Sequence, residues 1–195
     1  MTSSLFPSGY YLSADLRAAG IGAVGNNVRV HHNLNVYRLE NLYLGNNVVI
    51  DAYVSIIASG EVRIGSNVHL GSYCHLSGGA GIELMDFSGL SQGVRIYSQS
   101  DDYSGKSLTN PTTPPDLKVV KKGKVTLECH VIIGANSVIL PAVTIGEGSA
   151  VGALSLVSRS LPSWGIFAGT PVRKIKDRSR RLLDLEATYL TRRSI

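Results

Sequence analysis

Branched aliphatic residues recur at Val24, Val30 and Val36, then at Leu44, Ile50 and Ile56, then at Ile64, Leu70 and Leu76, then at Leu84, Leu90 and Ile96. Within each trio the spacing is six residues and between trios it is eight, so a 20-residue period repeats four times. After an interruption, strict sixes resume at Leu127, Ile133, Ile139, Ile145, Val151 and Val157. Four residues after most of these comes a second, usually smaller side chain, as at Val28, Val48, Val54, Val68, Cys74, Ser88, Val94, Val131, Ser137, Val143, Ser149 and Ser155. Gly or Asn commonly lies between the two, as in VGNNV, LGNNV, IGSNV and IGANS.

Neither ordinary period accounts for this. A helix needs apolar residues three and four apart, and frequent Gly–Asn pairs would melt it. A plain strand alternates in twos and needs no turn residue at every sixth position. A six-residue unit made of a short strand and a turn does fit, with three units closing one triangular coil. Coils then stack as parallel sheets, about 4.8 Å per rung. The aliphatic first position points inward and the small fifth position fills the corner. Gly or Asn supplies positive φ at the bend. The two extra residues per turn in the first half are read as bulges at one corner.

The wider composition narrows the function classes. A chain of 195 residues suits one domain with a real core, and 44 % hydrophobic with 17 % charged residues is globular. The start, MTSSLFPSGYY, has no basic stretch followed by an apolar run, and no run of about 18 apolar residues occurs. A cytoplasmic chain without membrane insertion is therefore expected. Cys74 and Cys129 are too few for a disulfide scaffold and read as small buried side chains. The net charge of +5 is concentrated late, between Lys118 and Lys124, at Arg159, and from Arg173 to Arg193. Without aromatic–basic interleaving this predicts no nucleic-acid partner and favours an anionic small molecule.

The repeating unit, Leu/Ile/Val then Gly then two variable residues then Val/Ser/Cys, resembles that of the hexapeptide-repeat acyltransferases. The resemblance covers roughly residues 21 to 176. The closing stretch VTIGEGSAVGALSLVSRSLPSWGIFAGTPVRKIK is similar to the last coil and tail of acetyl-CoA-dependent sugar acetyltransferases such as the galactoside and maltose enzymes. The segments YSQSDDYSG, LTNPTTP and CHVIIGANSVILP are closer to acyltransferases of O-antigen sugar synthesis, the group acting on dTDP-4-amino-4,6-dideoxy-glucose. The resemblance implies an all-β fold, a left-handed parallel β-helix forming a triangular prism, with short N-terminal and C-terminal helices. Its left hand comes from the resemblance alone, since general crossover rules predict the opposite. It also implies acetyl-CoA as co-substrate, a sugar or nucleotide-sugar acceptor, and a homotrimer. The corresponding layout is an N-terminal cap segment over 1–22, the β-helix over 23–165 with an extended loop over 98–124, and a tail and helix over 166–195. Within the caps, SADLRAAG fits a short helix with Ser13 as N-cap and Gly20 beyond its end. DRSRRLLDLEATYL, 177–190, spaces Leu182, Leu185 and Leu190 along one face of an amphipathic helix. Trp164 and Phe167 are expected to pack where the chain leaves the prism.

The interruption, YSQSDDYSGKSLTNPTTP at 97–114, contains no Val or Ile. In the relatives a loop here carries a catalytic histidine; ungapped matching puts Asp101 at that position, followed by Asp102. Acyl transfer to a hydroxyl needs a base near neutral pH, whereas a neutral amine carries its own lone pair. The replacement therefore tilts the acceptor towards an amino sugar. A sugar hydroxyl is the alternative, and a γ carbonic anhydrase-like zinc enzyme a more distant one. Asp101 or Asp102 either serves the amine or caps a turn. Among histidines, His69 and His75 occupy the sixth position of their units and His130 the fourth, so all three point outward. His130 is the first candidate base, before Asp101 and Asp102. His75, Tyr97 and Tyr103 are candidate acceptor contacts. No metal is expected, because His69 and His75 sit on adjacent faces and cannot share one ion within a chain. The resemblance places coenzyme A against Ala135, Ala153, Ser158, Arg159, Arg173 and Lys176, with small residues leaving a slot for pantetheine and the basic ones answering phosphate.

Overall fold

Residues 9–193 are described by the computed structural model. The opening MTSSLFPS of the expected cap segment, and the last two residues, lie outside them. The chain winds as a parallel β-helix of about seven turns. It visits three flat faces in rotation. Face III holds Ala23–Val24, Leu42–Leu44, Val62–Ile64, Ile82–Leu84, Val125–Leu127 and Thr144–Ile145. Face I holds Arg29–His31, Val49–Ile50, His69–Leu70, Gly89–Leu90, Ile132–Ile133, Ala150–Val151 and Gly165–Ala168. Face II holds Asn35–Tyr37, Ser55–Ile57, His75–Ser77, Arg95–Tyr97, Val138–Ile139 and Leu156–Val157.

The register follows the aliphatic spacing. Ile50, Leu70, Leu90, Ile133 and Val151 stack in one column, and Ile56, Leu76, Ile96, Ile139 and Val157 in another. Every one of these is at most 3 % exposed, as are the twelve smaller fifth-position residues. In the last coils those fifth positions are serines whose hydroxyls donate across or within the turn: Ser137 Oγ to Gly152 O at 3.0 Å and Ser149 Oγ to Pro162 O at 2.7 Å. Cys74 is buried too; desolvation pushes its thiol up to about 11, which keeps it protonated and inert.

Two expectations about the turns need correction. Positive φ belongs to the fourth position of the unit whatever its side chain: Asn27, Asn47, Asn67 and Asn136, but also Tyr53, Tyr73, Phe87, His130 and Leu154. The glycine at the second position has a different reason. A Cβ at Gly45 would stand 2.7 Å from the carbonyl carbon of Gly65 in the next coil, so this corner closes only without a side chain. The extra residues of the longer early coils lie between faces II and III, where Ile57 leads to Val62 and Ser77 to Ile82. The long loop leaves from that same corner, between Tyr97 and Val125.

One end is closed by an antiparallel strand and a helix, the other by an antiparallel strand. Tyr10–Leu12 pairs antiparallel with Arg29–His31 at one edge of face I, and Arg173–Asp177 pairs antiparallel with Gly165–Ala168 at the other. Helix α1, Ser13–Ala18, turns Leu16 into the core at 4 % exposure. Leu12 is its N-cap residue; Ser13 lies inside the helix, where its Oγ instead accepts the Val28 N–H at 2.9 Å. Helix α2 spans Leu182–Arg193, starting later than the sequence implied because 173–177 is strand. It does not cover open rungs. It runs back along the corner between faces III and I, leaving Leu185 and Leu190 exposed. Trp164 and Phe167 are both buried, with the Arg180 guanidinium 5.1 Å from the Trp164 ring centroid.

Candidate active site

The loop is not structureless. Gln99–Asp101 pairs antiparallel with Val120–Lys122, forming a hairpin that stands beside face II. Between hairpin and face is a cleft of about 770 Å³, into which Ser77, Arg95, Tyr97, Asp101, Tyr103 and Lys122 all open. Face II provides its floor through two adjacent outward columns. One carries His75, Arg95 and Val138, the other Ser77 and Tyr97.

The two aspartates diverge. Asp101 lines the cleft, and its Oδ2 accepts the Asn110 N–H at 3.0 Å. Asp102 turns away and is 8 % exposed; its carboxylate accepts the Ser104 hydroxyl and, at 3.2 Å, the Ser104 N–H. Those hydrogen bonds, the hydroxyl's first, hold the Asp102 carboxyl below its ordinary range. Asp102 therefore shapes the loop turn, while Asp101 remains available to a ligand. Tyr103, at 91 % exposure, projects from the loop.

His75 sits beside this cleft, its ring centroid 5.7 Å from that of Tyr97. Burial, then the charge of Arg95, lowers its pKa from 6.5, so the imidazole is neutral at pH 7. His69 stands on face I, its Nε2 2.8 Å from Asp51 Oδ2, while the Tyr10 hydroxyl donates to the other Asp51 oxygen at 3.1 Å. His69 and His75 thus occupy different faces.

His130 is elsewhere. It is 9 % exposed, stacks on Phe87 at 5.2 Å, and has Nε2 3.0 Å from Glu186 Oε2 of α2. Arg178 donates to its carbonyl at 2.8 Å. The structure does not bring His130 together with Asp101: it lies at the corner between faces III and I, under the C-terminal helix. Its spacing marked it as outward-pointing, but only the tertiary fold shows what lies over it.

Of the six residues assigned to coenzyme A, Ala135 and Ala153 lie at the corner between faces I and II, Ser158 and Arg159 follow the last strand of face II, and Arg173 and Lys176 are on the antiparallel edge strand of face I. The Leu154 N–H donates to Ala135 O at 2.9 Å, and Ala153 of that next coil packs against Gly134. Ser158, Arg159 and Arg173 line a recess of about 280 Å³ together with Pro171 and Val172. Lys176 is further along the edge strand, opposite Ile166. Ser77, Arg95, Gln99 and Lys122 were not singled out from the sequence. For Arg95 the signal was available, since it is an outward polar position in the unit preceding the break.

Comparison with known proteins supplies an independent view. Residues 124–159 match the family described as bacterial transferase hexapeptide (six repeats). The dTDP-4-amino-4,6-dideoxy-D-glucose acyltransferase of Escherichia coli is 37 % identical over 108 residues, a stretch covering 55 % of this chain and 56 % of that one. The match thus spans little more than half the length of this curated relative. The crystal structure of AntD, an N-acyltransferase from Bacillus cereus in complex with dTDP and 3-hydroxybutyryl-CoA, superposes with a TM-score of 0.93 at 43 % identity, covering 97 % of this chain and 100 % of that one. A maltose O-acetyltransferase from Clostridium difficile 630 shares the fold, with a TM-score of 0.58, 22 % identity, and coverage of 85 % of this chain and 73 % of that one. Among the described residues no helix is long and apolar enough to cross a membrane, and no three His, Cys, Asp or Glu side chains converge on a metal position.

Proposed function

This chain belongs to the hexapeptide-repeat acyltransferases, alongside AntD, and from that premise we propose that it transfers an acyl group from coenzyme A to the amine of a dTDP-linked 4-amino-4,6-dideoxy sugar. The observation that carries the reading is the end-to-end match to an N-acyltransferase solved with dTDP and an acyl-CoA. The cleft under the loop supports it, since it opens a carboxylate, a guanidinium and two tyrosines to one space.

In this reading the neutral amine attacks the thioester carbonyl. A C–N bond forms, the tetrahedral adduct collapses, the C–S bond breaks and the coenzyme A thiolate leaves. Asp101 holds the ammonium form of the acceptor and takes its proton, which passes onward to the thiolate or to water. Tyr97, Tyr103 and the neutral His75 position the sugar. Asp102 keeps the loop turn in shape, and His130 anchors α2 and has no part in proton transfer. The pantetheine arm lies along Ala135 and Ala153, with Ser158, Arg159, Arg173 and Lys176 answering the phosphates. Acetyl is the acyl group assigned.

The working assembly in this reading is a homotrimer, in which the loop of one copy borders the donor slot of the next. Exposed apolar residues on that loop, Leu108, Leu117 and Val119 beside Tyr103, support such a contact. The reading sets the enzyme in the cytoplasm, modifying nucleotide sugars for O-antigen or lipopolysaccharide synthesis. The experiment is to incubate the full chain with acetyl-CoA and a dTDP-4-amino-4,6-dideoxy sugar, following free thiol and product mass. Amide formation is the expected result. Release of thiol only with a simple galactoside would replace the amine by a hydroxyl acceptor.

A further inference from the structure

Where the chain leaves face II, three successive coils make the same backbone hydrogen bond through a small residue. The Ala58 N–H donates to Tyr37 O at 3.0 Å, the Gly78 N–H to Ile57 O at 2.8 Å and the Ser98 N–H to Ser77 O at 2.9 Å. Ala58 and Ser98 are both 0 % exposed. Alanine and glycine satisfy this position in two of the coils, so the prism itself asks for no hydroxyl there. Of the three, only the coil from which the loop departs carries one.

The departure explains it. In the coil before, the Gly60 N–H donates to the Gly78 carbonyl at 3.2 Å. One coil on, the counterpart of Gly60 is Ala80, and its counterpart acceptor is the Ser98 carbonyl. That carbonyl is engaged instead by the Gly123 N–H at 2.9 Å, the bond that closes the base of the hairpin. Ser98 Oγ takes its place, accepting the Ala80 N–H at 2.8 Å while donating to Ser77 O at 2.9 Å. One buried side chain thus lets the loop diverge without orphaning a backbone donor, and ties the root of the hairpin to the preceding coil.

The tie is reinforced on both strands. Gln99, the next residue, lays its carboxamide against Gly79, where any side chain would collide with it. The return strand is held to the following coil by the Ala142 N–H, which donates to Gly123 O at 3.0 Å. Asp101 stands three residues beyond Ser98, in register with Val120 of the return strand. Its carboxylate opens into the cleft beside Ser77, the residue whose carbonyl Ser98 binds. Over so short a span, a tilt at the root moves the carboxylate.

Resting on the reading of Asp101 as proton acceptor, we propose that Ser98 is a positioning residue: its hydroxyl fixes the hairpin on the corner at 78–80 and so sets the Asp101 carboxylate against the floor of the cleft. Being fully buried, Ser98 acts through the hairpin and does not touch the acceptor.

The test is a double-variant cycle on the full chain: wild type, Ser98→Ala, Asp101→Asn and the pair together, with acetyl-CoA and a dTDP-4-amino-4,6-dideoxy sugar. Ala58 shows that alanine suits the position, so Ser98→Ala should keep the wild-type thermal shift with coenzyme A. Its kcat should fall about 10–10²-fold, as for a reacting group displaced by about 1 Å, with KM for acetyl-CoA unmoved. The pair should be no slower than Asp101→Asn alone, because the hydroxyl acts only through that carboxylate. Amide exchange over 99–101 and 120–122 should quicken in Ser98→Ala. Wild-type kcat in Ser98→Ala beside a slow Asp101→Asn overturns the proposal and leaves Asp101 standing. Full activity in Asp101→Asn removes Asp101 from the chemistry, and Ser98 then has no carboxylate to position. Additive losses in the pair overturn the proposal too, as does loss of the coenzyme A shift in Ser98→Ala, which would assign the hydroxyl to the prism. If wild type acylates no amino sugar, the acyl-transfer reading falls; quickened exchange would still establish the tie, and unchanged exchange would overturn it.

Discussion

His130 Nε2 and Glu186 Oε2 lie 3.0 Å apart, joining the prism to α2 across 56 residues of sequence. The contact is one of a series along the same corner: Arg180 on Trp164, Glu186 on His130, and the Tyr189 hydroxyl donating to Asn67 Oδ1 at 3.1 Å. Glu186→Ala leaves a buried imidazole without its carboxylate. A loss of about 1–3 kcal/mol of α2 docking is expected. Faster amide exchange over 182–193 and a lower Tm would register it; wild-type protection of the helix would show that the pair contributes nothing.

Asp101 and Asp102 should separate cleanly in kinetics. Asp101→Asn is expected to lower kcat/KM for the amino sugar by about 10²–10⁴-fold, the range for a positioned proton acceptor, with the loop intact. Asp102→Asn should instead make the loop more susceptible to proteolysis, because the acceptor of the Ser104 hydroxyl and N–H is weakened. Equal kinetic losses in the two variants, without a change in proteolysis, would contradict this division.

For the donor end, Arg159→Ala and Arg173→Ala each remove one charge from the recess they share with Ser158. KM for acyl-CoA should rise about tenfold in each, as for a lost charge-assisted hydrogen bond, with kcat little changed. Ala153→Leu should obstruct the slot and abolish the coenzyme A thermal shift while leaving dTDP binding in place.

His75 gives a pH signature. Its pKa is lowered in the folded chain by burial and by Arg95, so the unfolded chain binds the proton more readily. The His75 contribution to stability is complete above 6.5 and is lost as pH falls from there through the lower folded value. His75→Gln should flatten the Tm profile over that interval, and an unaltered profile would exclude the assignment.

Ser88 is 3 % exposed and its Oγ has no hydrogen-bond partner among the described residues. Ser88→Ala removes that unpaired hydroxyl and should stabilise the chain by about 1 kcal/mol in chemical denaturation. A destabilised variant would mean the hydroxyl is satisfied in solution.

Much of the fold was legible because the inward column repeats regularly from Leu44 to Ile96 and again from Leu127 to Val157, and periodicity reports burial directly. The turn backbone was less so. Stacking imposes the same left-handed bend on Tyr73 and Leu154 as on Asn47, overriding residue preference. For the site, the break in the repeat located the loop, and Asp101 was visible as an unexpected carboxylate. What separated Asp101 from Asp102 was Ser104, two residues on, and spacing carries no information about which way each side chain turns. The surroundings of His130 were illegible for a similar reason: its cover, Glu186, comes from a segment 56 residues away in sequence.

Leu84 and Leu127 are neighbours on face III, directly opposite one another in register, although the whole loop lies between them in sequence. The excursion leaves after Tyr97 and returns at Val125, closed at its base by the Gly123 N–H donating to Ser98 O at 2.9 Å, so the stacking of the coils continues beneath it. Such an arrangement lets the chemistry be exchanged by splicing at one corner: a lineage can lengthen, shorten or recode the flap, and so change which acceptor it welcomes, while the load of folding stays with a scaffold that never registers the substitution.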